Sequence, residues 1–529
     1  MANKNLFKSL MSRLAPKADT VNEAGGLAYA RSSKHALAQY AMTGCLNGTF
    51  YASAEMQLSK VLELAEDCDD LFLAALAVHA REKGYMKDLP ALLVAILSSR
   101  DPVLFQLTFD RVIDNGKMLR NFVQIMRSGV TGRKSLGSGP KRAVLRFLSK
   151  RSDAQVFADS VGNDPSMADV IKMVHPVPET ASRRSLYGEM IGRPHDLEAL
   201  PQLVKDFEAF KRSVKDGKAG KAPAVPFRML TGLDIPDRVW KDIARDAKWH
   251  ATRMNLNSFA RHGVFEDREL VKAIAKRLAD PKLVERAKAF PYQLLAAYSN
   301  AGEQVPREVK NALHDAMEVA VENVPKLEGR VWVLPDISGS MHSPVTGYRQ
   351  GSTSKVRCID VAALVTAAIL RRNPEAEVLP FHDRVVPKHG LVARDSVLTN
   401  AQRLARLPSG GTDCSAPLEW LNAQRQDVDL VVFVSDNQSW IDENRTWNGG
   451  SAVMRQWERL KNRNRAAKMV CIDVQPYGTQ QAPDRKDILN VGGFSDAVFE
   501  LLGHFDRGEV ASGHWVAVIE SMAETLKTA

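Results

Sequence analysis

Cysteine is scarce in this chain: Cys45, Cys68, Cys358, Cys414 and Cys471 are spread over 529 positions. That scatter supplies neither a disulfide framework nor a zinc cluster, and it suits a reducing compartment, the cytosol. Long apolar runs are lacking too. The longest, Leu71–Val78 and Val361–Leu370, fall short of the ~18–20 residues needed to cross a bilayer, so no membrane partner is expected. The basic N-terminus places Phe7, Leu10, Met11 and Leu14 at helical spacing, which predicts a docking helix rather than the continuous apolar core of a signal peptide. No nucleophile–base pair, P-loop or pair of general acids stands out, and an enzyme is not expected. What is present is ordinary globular composition, with 45% hydrophobic and 25% charged residues. The length allows two to four domains.

The net charge of +10 is unevenly placed. Residues 1–330 carry 50 Lys and Arg against 39 Asp and Glu, whereas residues 331–529 carry 22 against 23. The excess concentrates in 101–150 and 201–300. A basic surface confined to one part of a chain fits a polyanion partner, although a merely soluble basic domain would look the same by charge alone.

Periodicity divides the chain at the same place. From about Asn22 to Glu322 apolar residues recur at three and four, as in Leu89, Leu92, Leu93, Ile96 and Leu97. Helices are predicted near Val103–Ile113, Lys117–Met126, Ala143–Leu148, Leu270–Leu278 and Val305–Val321, joined at Asp114-Asn-Gly116 and Asp164-Pro165. Some 300 residues of such helices predict an α-solenoid with degenerate repeats. Lys211–Pro226 is expected to be an exposed loop. After Gly329, strands at Val331–Leu334, Glu377–Phe381, Leu430–Val434 and Met469–Val474 alternate with helices, and helices close the chain. That alternation predicts a mostly parallel sheet covered on both faces, with ligands at the carboxyl ends of its strands.

One such end carries Asp336-Ile-Ser338-Gly-Ser340. A carboxylate followed by two hydroxyls at spacing two suits a hard divalent cation. Ser409-Gly-Gly-Thr412-Asp413 and Ser435-Asp436 fall where the topology would bring a third hydroxyl and a second carboxylate beside it. Asp336, Ser338, Ser340, Thr412 and Asp436 are therefore the candidate ligands, in an all-oxygen shell that favours Mg²⁺ or Mn²⁺ over zinc. Ser338 and Ser340 taken alone would serve equally well as helix N-caps, and Asp413 reads as an outward or capping residue rather than a ligand.

These motifs resemble the metal-ion-dependent adhesion site of von Willebrand factor A domains. Gly-Gly-Thr412-Asp-Cys414 and Ser-Asp436-Asn-Gln-Ser-Trp440 are similar to the wording of the Ro ribonucleoprotein family. Asn47-Gly-Thr-Phe-Tyr-Ala-Ser53, Arg127-Ser-Gly-Val-Thr-Gly-Arg133 with Lys141-Arg142, and Met173-Val-His175-Pro resemble that family's TROVE module. The resemblance implies an N-terminal extension at 1–21, a TROVE domain of HEAT-like helical repeats at 22–328, and an A domain at 329–529 that closes a monomeric ring. It further implies binding of structured Y-like RNA and of single-stranded 3′ ends of misfolded RNA, in RNA quality control or processing. Arg127, Arg133, Lys134, Lys141, Arg142 and His175 are the residues it points to. A nuclease or other protein partner would meet the metal site.

The likeness has departures. Where the family carries Lys and Arg before the His, this chain has the acidic Asp159-Ser-Val-Gly-Asn-Asp164, and an Arg-Asn-Leu run is replaced by Arg253-Met-Asn-Leu256. The loop Ser343–Ser354 is additional. Two other functions stand beside RNA binding: a metal-dependent protein adaptor on a helical scaffold, and a phosphoryl-transfer enzyme using His342 as base.

Overall fold

The computed structural model describes residues 15–44, 46–132, 134–287, 291–322, 324–348, 356–441, 450–475, 477–493, 496–509 and 514–527. The expected docking helix, with its apolar positions ending at Leu14, and Arg133 lie outside them. The described chain forms two compact units: one holds 15–72, 291–300 and His314–Glu524, the other Leu73–Ala287 and Ala301–Leu313 with the last few residues. As expected, the architecture is a helical solenoid plus an α/β domain.

In the helical unit, polar residues at the turns decide where each helix begins. Asp101 accepts hydrogen bonds from the backbone N–H groups of Val103 and Leu104, both at 2.9 Å, and Pro102 takes the first helical position. Helix Asp88–Arg100 therefore stops and Pro102–Val112 starts across one residue. Asn115 caps Gly116–Ser128 in the same way, and Ser152 forms a capping box with Gln155. Helix Asp88–Arg100 is buried at every position from Leu89 to Ser98, so it lies inside the unit rather than on one side of it. Phe105, Phe109 and Phe122 meet beside it, with ring centroids 5.2–6.0 Å apart.

Lys211–Lys215 is not loop. It completes helix Gln202–Lys215, because Val204, Phe207 and Phe210 carry the buried stripe up to it. Asp159, read from sequence as a departure, is a structural anchor. Its carboxylate pairs with Arg151 at 2.6 Å and accepts from the Gly116 N–H at 3.1 Å, while its carbonyl accepts from Arg120.

The other unit is built on a parallel five-stranded sheet. Its strands are β3 (Val331–Pro335), β4 (Glu377–Val378), β5 (Leu430–Ser435), β6 (Lys468–Asp473) and β8 (Ile488–Gly492), in the order β4-β3-β5-β6-β8. The chain leaves β3 for β4 on one side and returns to β5 on the other, which opens a crevice at the carboxyl ends of β3 and β5. Strand β8 was not foreseen, since Asn490 interrupts its apolar run; the buried Asn490 amide donates to the Ala482 carbonyl and to Asp484. Nor was strand structure expected near the N-terminus. There β1 (Thr20–Val21) and β2 (Leu27–Ala30) pair with each other, and β2 pairs with β7 (Thr479–Gln480).

No helix among the described residues is long and apolar enough to cross a membrane. Cys68, Cys358, Cys414 and Cys471 are all buried and free.

Within the helical unit, His79 is buried with an unpartnered Nδ1, and burial, aided by Lys83, depresses its pKa from 6.5 to about 4. Its unfolded form therefore binds the proton first, and stability falls as pH drops from 6.5 towards about 4. The loss is at most roughly 3 kcal/mol. Urea denaturation across that window should show the decline, and His79→Gln should flatten it.

Candidate metal centre and nucleic-acid surface

The crevice between β3 and β5 gathers all three polar loops. Beyond β3, the Asp336 N–H donates to the Val434 carbonyl at 3.0 Å and the Ile337 N–H to that of Phe381 at 2.8 Å. The first loop is joined to the second through the Gly339 N–H and the Gly410 carbonyl, 3.0 Å apart. The second is joined to the third through the Trp440 N–H and the Thr412 carbonyl, at 3.3 Å. Asp336, Ser338, Ser340, Thr412 and Asp436 are thereby brought together, and each is buried.

Asp336 is held on both oxygens. Oδ1 accepts from the Ser338 N–H at 2.8 Å, and Oδ2 accepts from the Ser435 hydroxyl at 2.6 Å. Ser435 in turn accepts the Asn437 N–H at 2.9 Å. Ser338 and Ser340 place their hydroxyl oxygens 3.2 Å apart. Burial raises the pKa of Asp336, and burial together with the charge of Asp336 pushes Asp436 up to about 8. Two buried carboxylates that repel one another, surrounded by neutral hydroxyls, call for a positive charge. Among the described residues no group of three or more His, Cys, Asp or Glu gathers to hold a metal. The donor set is thus two carboxylates with hydroxyls, which fits Mg²⁺ or Mn²⁺ and leaves a soft ion without ligands.

Asp413 is buried just ahead of the following helix, whose N-cap is Ser415; its carboxylate takes the Ser415 N–H at 2.8 Å and the Ser415 hydroxyl at 2.6 Å. His342 lies 2.9 Å from Arg357, and burial and that guanidinium lower its pKa. Sequence reasoning missed Ser435, which looks like the last residue of a strand. It also missed Tyr51, whose pKa is raised to about 12 by burial and then by the charge of Asp436. The Asn47–Ser53 motif was visible, but its place beside the metal loops was not.

The basic candidates sit on the helical unit. Arg127 ends helix Gly116–Ser128, Lys141 and Arg142 lie in the first turn of Ser138–Lys150, and His175 caps Met167–Val174. Helix Met167–Val174 packs against both of the others. Arg127, Lys134, Arg142 and His175 are exposed and Lys141 is half-buried. None of these four Lys and Arg enters an ion pair among the described residues, whereas Arg146 and Lys150 pair with Asp110 and Arg183 with Asp153. His175 adopts a left-handed backbone, φ 51°, and borders an open cavity of about 540 Å³ that Arg183 and Tyr187 also line.

A family described as the Ro60 vWA domain matches residues 330–506. The RNA-binding protein RO60 of Deinococcus radiodurans is 26% identical over 559 aligned residues, covering 96% of this chain and all of that one. The chain is similar to Ro proteins. The crystal structure of the Deinococcus radiodurans RO (RSR) protein shares this Ro-like fold with a TM-score of 0.61. That match has 22% identity, over 90% of this chain and all of that one. The Caenorhabditis elegans RNA-binding protein RO60 is 25% identical over 264 residues, 46% of the Ro-like chain and 38% of its own length.

Ser435→Ala in the Ro-like chain would leave a carboxylate oxygen and the Asn437 N–H buried without partners. Chemical denaturation should register a loss of about 1–3 kcal/mol, or more because one partner is charged.

Proposed function

We propose that this Ro-like chain is an RNA-binding protein rather than an enzyme. In this reading it holds structured, Y-like small RNA and the single-stranded 3′ ends of misfolded RNA. It works as a cytoplasmic ribonucleoprotein in RNA quality control or processing. The observation that carries the reading is the set of cations without ion-pair partners among the described residues, Arg127, Lys134, Lys141 and Arg142. They lie on helices Gly116–Ser128 and Ser138–Lys150 and the turn between them, where the nearby Arg146, Lys150 and Arg183 are neutralised by Asp110 and Asp153. A free cation releases a counterion when it meets phosphate, so affinity falls steeply with salt. The cavity beside His175, which Arg183 also lines, is large enough for an unpaired base. The names of the Deinococcus and Caenorhabditis relatives, both RNA-binding, support the same reading.

The A domain then serves partner contact. Asp336, Ser338, Ser340, Thr412 and Asp436 would hold Mg²⁺, or Mn²⁺ in its place. The ion supplies a positive centre for an acidic group of a nuclease or other protein. Phe50, Tyr348 and Trp440, 52%, 57% and 43% exposed, lie on segments bonded to the metal loops and support a protein partner there.

Two measurements test these readings separately. Filter binding to a structured RNA with and without a single-stranded 3′ tail, across salt, should show tail-dependent and salt-sensitive affinity. Lys141→Glu/Arg142→Glu should reduce that affinity at least about tenfold and flatten the salt slope. Salt-insensitive or undetectable binding would sink the RNA reading. In a second assay, Mg²⁺ should raise the melting temperature of the wild-type protein and not that of Asp336→Ala, with RNA binding unchanged.

A further inference from the structure

The segment that precedes the helical unit grips the metal loops from two directions. At the Asn22–Gly26 turn, the Asn22 amide donates to the Ser439 carbonyl at 2.7 Å, and the Glu23 N–H donates to the Gln438 side chain at 2.8 Å. A Cβ on Gly26 would fall 2.0 Å from that same Ser439 oxygen, so the turn is seated directly on the loop that carries Asp436. From the other direction, Gly48 accepts the Tyr348 N–H at 2.7 Å and the Asn47 amide donates to the Thr346 carbonyl at 2.9 Å. Between these bonds the Tyr51 ring stands 5.7 Å from that of the buried Tyr477.

The contacts fall on the loops that bear the candidate ligands. The Asn22–Gly26 turn fixes the Gln438 side chain and the Ser439 backbone, two and three residues after Asp436. We propose that Asn22–Gly26 and Asn47–Ser53 form a clasp built from the chain itself, so that cation binding and seating of the clasp strengthen each other. The coupling is reciprocal by linkage: whatever factor the seated clasp adds to cation affinity, the bound cation adds to clasp seating. The clasp rests on the metal reading given above.

The test uses the full-length protein and Mg²⁺ alone. Calorimetry on Asn22→Ala and Gly26→Ala should give Mg²⁺ affinities weaker by about fivefold or more, the value of one hydrogen bond of ~1 kcal/mol. The rise in melting temperature on adding Mg²⁺ should shrink in both variants, whereas a purely structural loss would lower the melting temperature equally in chelator and in Mg²⁺. Hydrogen exchange at residues 46–60 should slow on adding Mg²⁺ to wild type and stay unchanged in Asp336→Ala. Wild-type Mg²⁺ binding with no slowing of exchange, and with full affinity in both variants, overturns the clasp while leaving the metal site standing. Absence of wild-type Mg²⁺ binding overturns both. RNA affinity of Asn22→Ala should equal that of wild type.

Discussion

A carboxylate with no exposed surface, Asp336, is the constraint around which the α/β unit is arranged. Burying it is costly unless hydrogen bonds or opposite charge offset the lost hydration. The Ser435 hydroxyl meets part of that need and passes its own acceptor capacity to Asn437, so one side chain ties the carboxyl end of β3 to the loop after β5. That tie sits at the point where the strand order reverses. The crevice, the second carboxylate and the converging hydroxyls follow from the same reversal. The second loop accepts the Gly339 N–H on its Gly410 carbonyl and the Trp440 N–H on its Thr412 carbonyl, and the Cys414 N–H that follows donates to the Ser439 hydroxyl. Its two glycines leave room for that: a Cβ on Gly410 or Gly411 would run into His382 or the Trp440 indole at 2.5 and 2.7 Å.

Much of this was legible before any coordinates. The strand Val331–Pro335 and the polar residues that end it are contiguous, and alternation of strand and helix is a local property. Asp336, Ser338, Ser340, Thr412 and Asp436 could be named because each lies where a strand or a glycine turn gives out. Ser435, Tyr51 and Gln438 could not, since their importance rests on what lies across from them at separations of 99 residues and more. Strand β8 escaped for a related reason: Asn490 is polar, yet Asp484 and the Ala482 carbonyl satisfy its amide and permit burial. The two-residue strand β1 and the four-residue β2 are too short to carry a period.

On the helical side, the acidic Asp159 illustrates how a charge read from sequence changes meaning in the fold. It looked like a subtraction from a basic surface. Instead it fixes Arg151 and receives the Arg120 guanidinium on its carbonyl, which draws two cations into the framework and leaves others free. Net charge over a segment is thus a poor guide to its usable charge. What matters for phosphate is which guanidinium and ammonium groups remain without a carboxylate, and ion pairing removes Arg146, Lys150 and Arg183 from that set.

The β2–β7 pairing and the buried Arg31–Asp473 bond, at 2.7 Å, also constrain how the protein is made. Arg31 leaves the ribosome 442 residues ahead of the carboxylate it needs. At ~5–20 residues per second, that is a wait of roughly 20–90 s. Throughout it the guanidinium and the edge of β2 stay in water, while the helices in between can already assemble from local contacts. The segment around β2 is therefore made long before the strand and carboxylate that complete it, and is among the last to find its place.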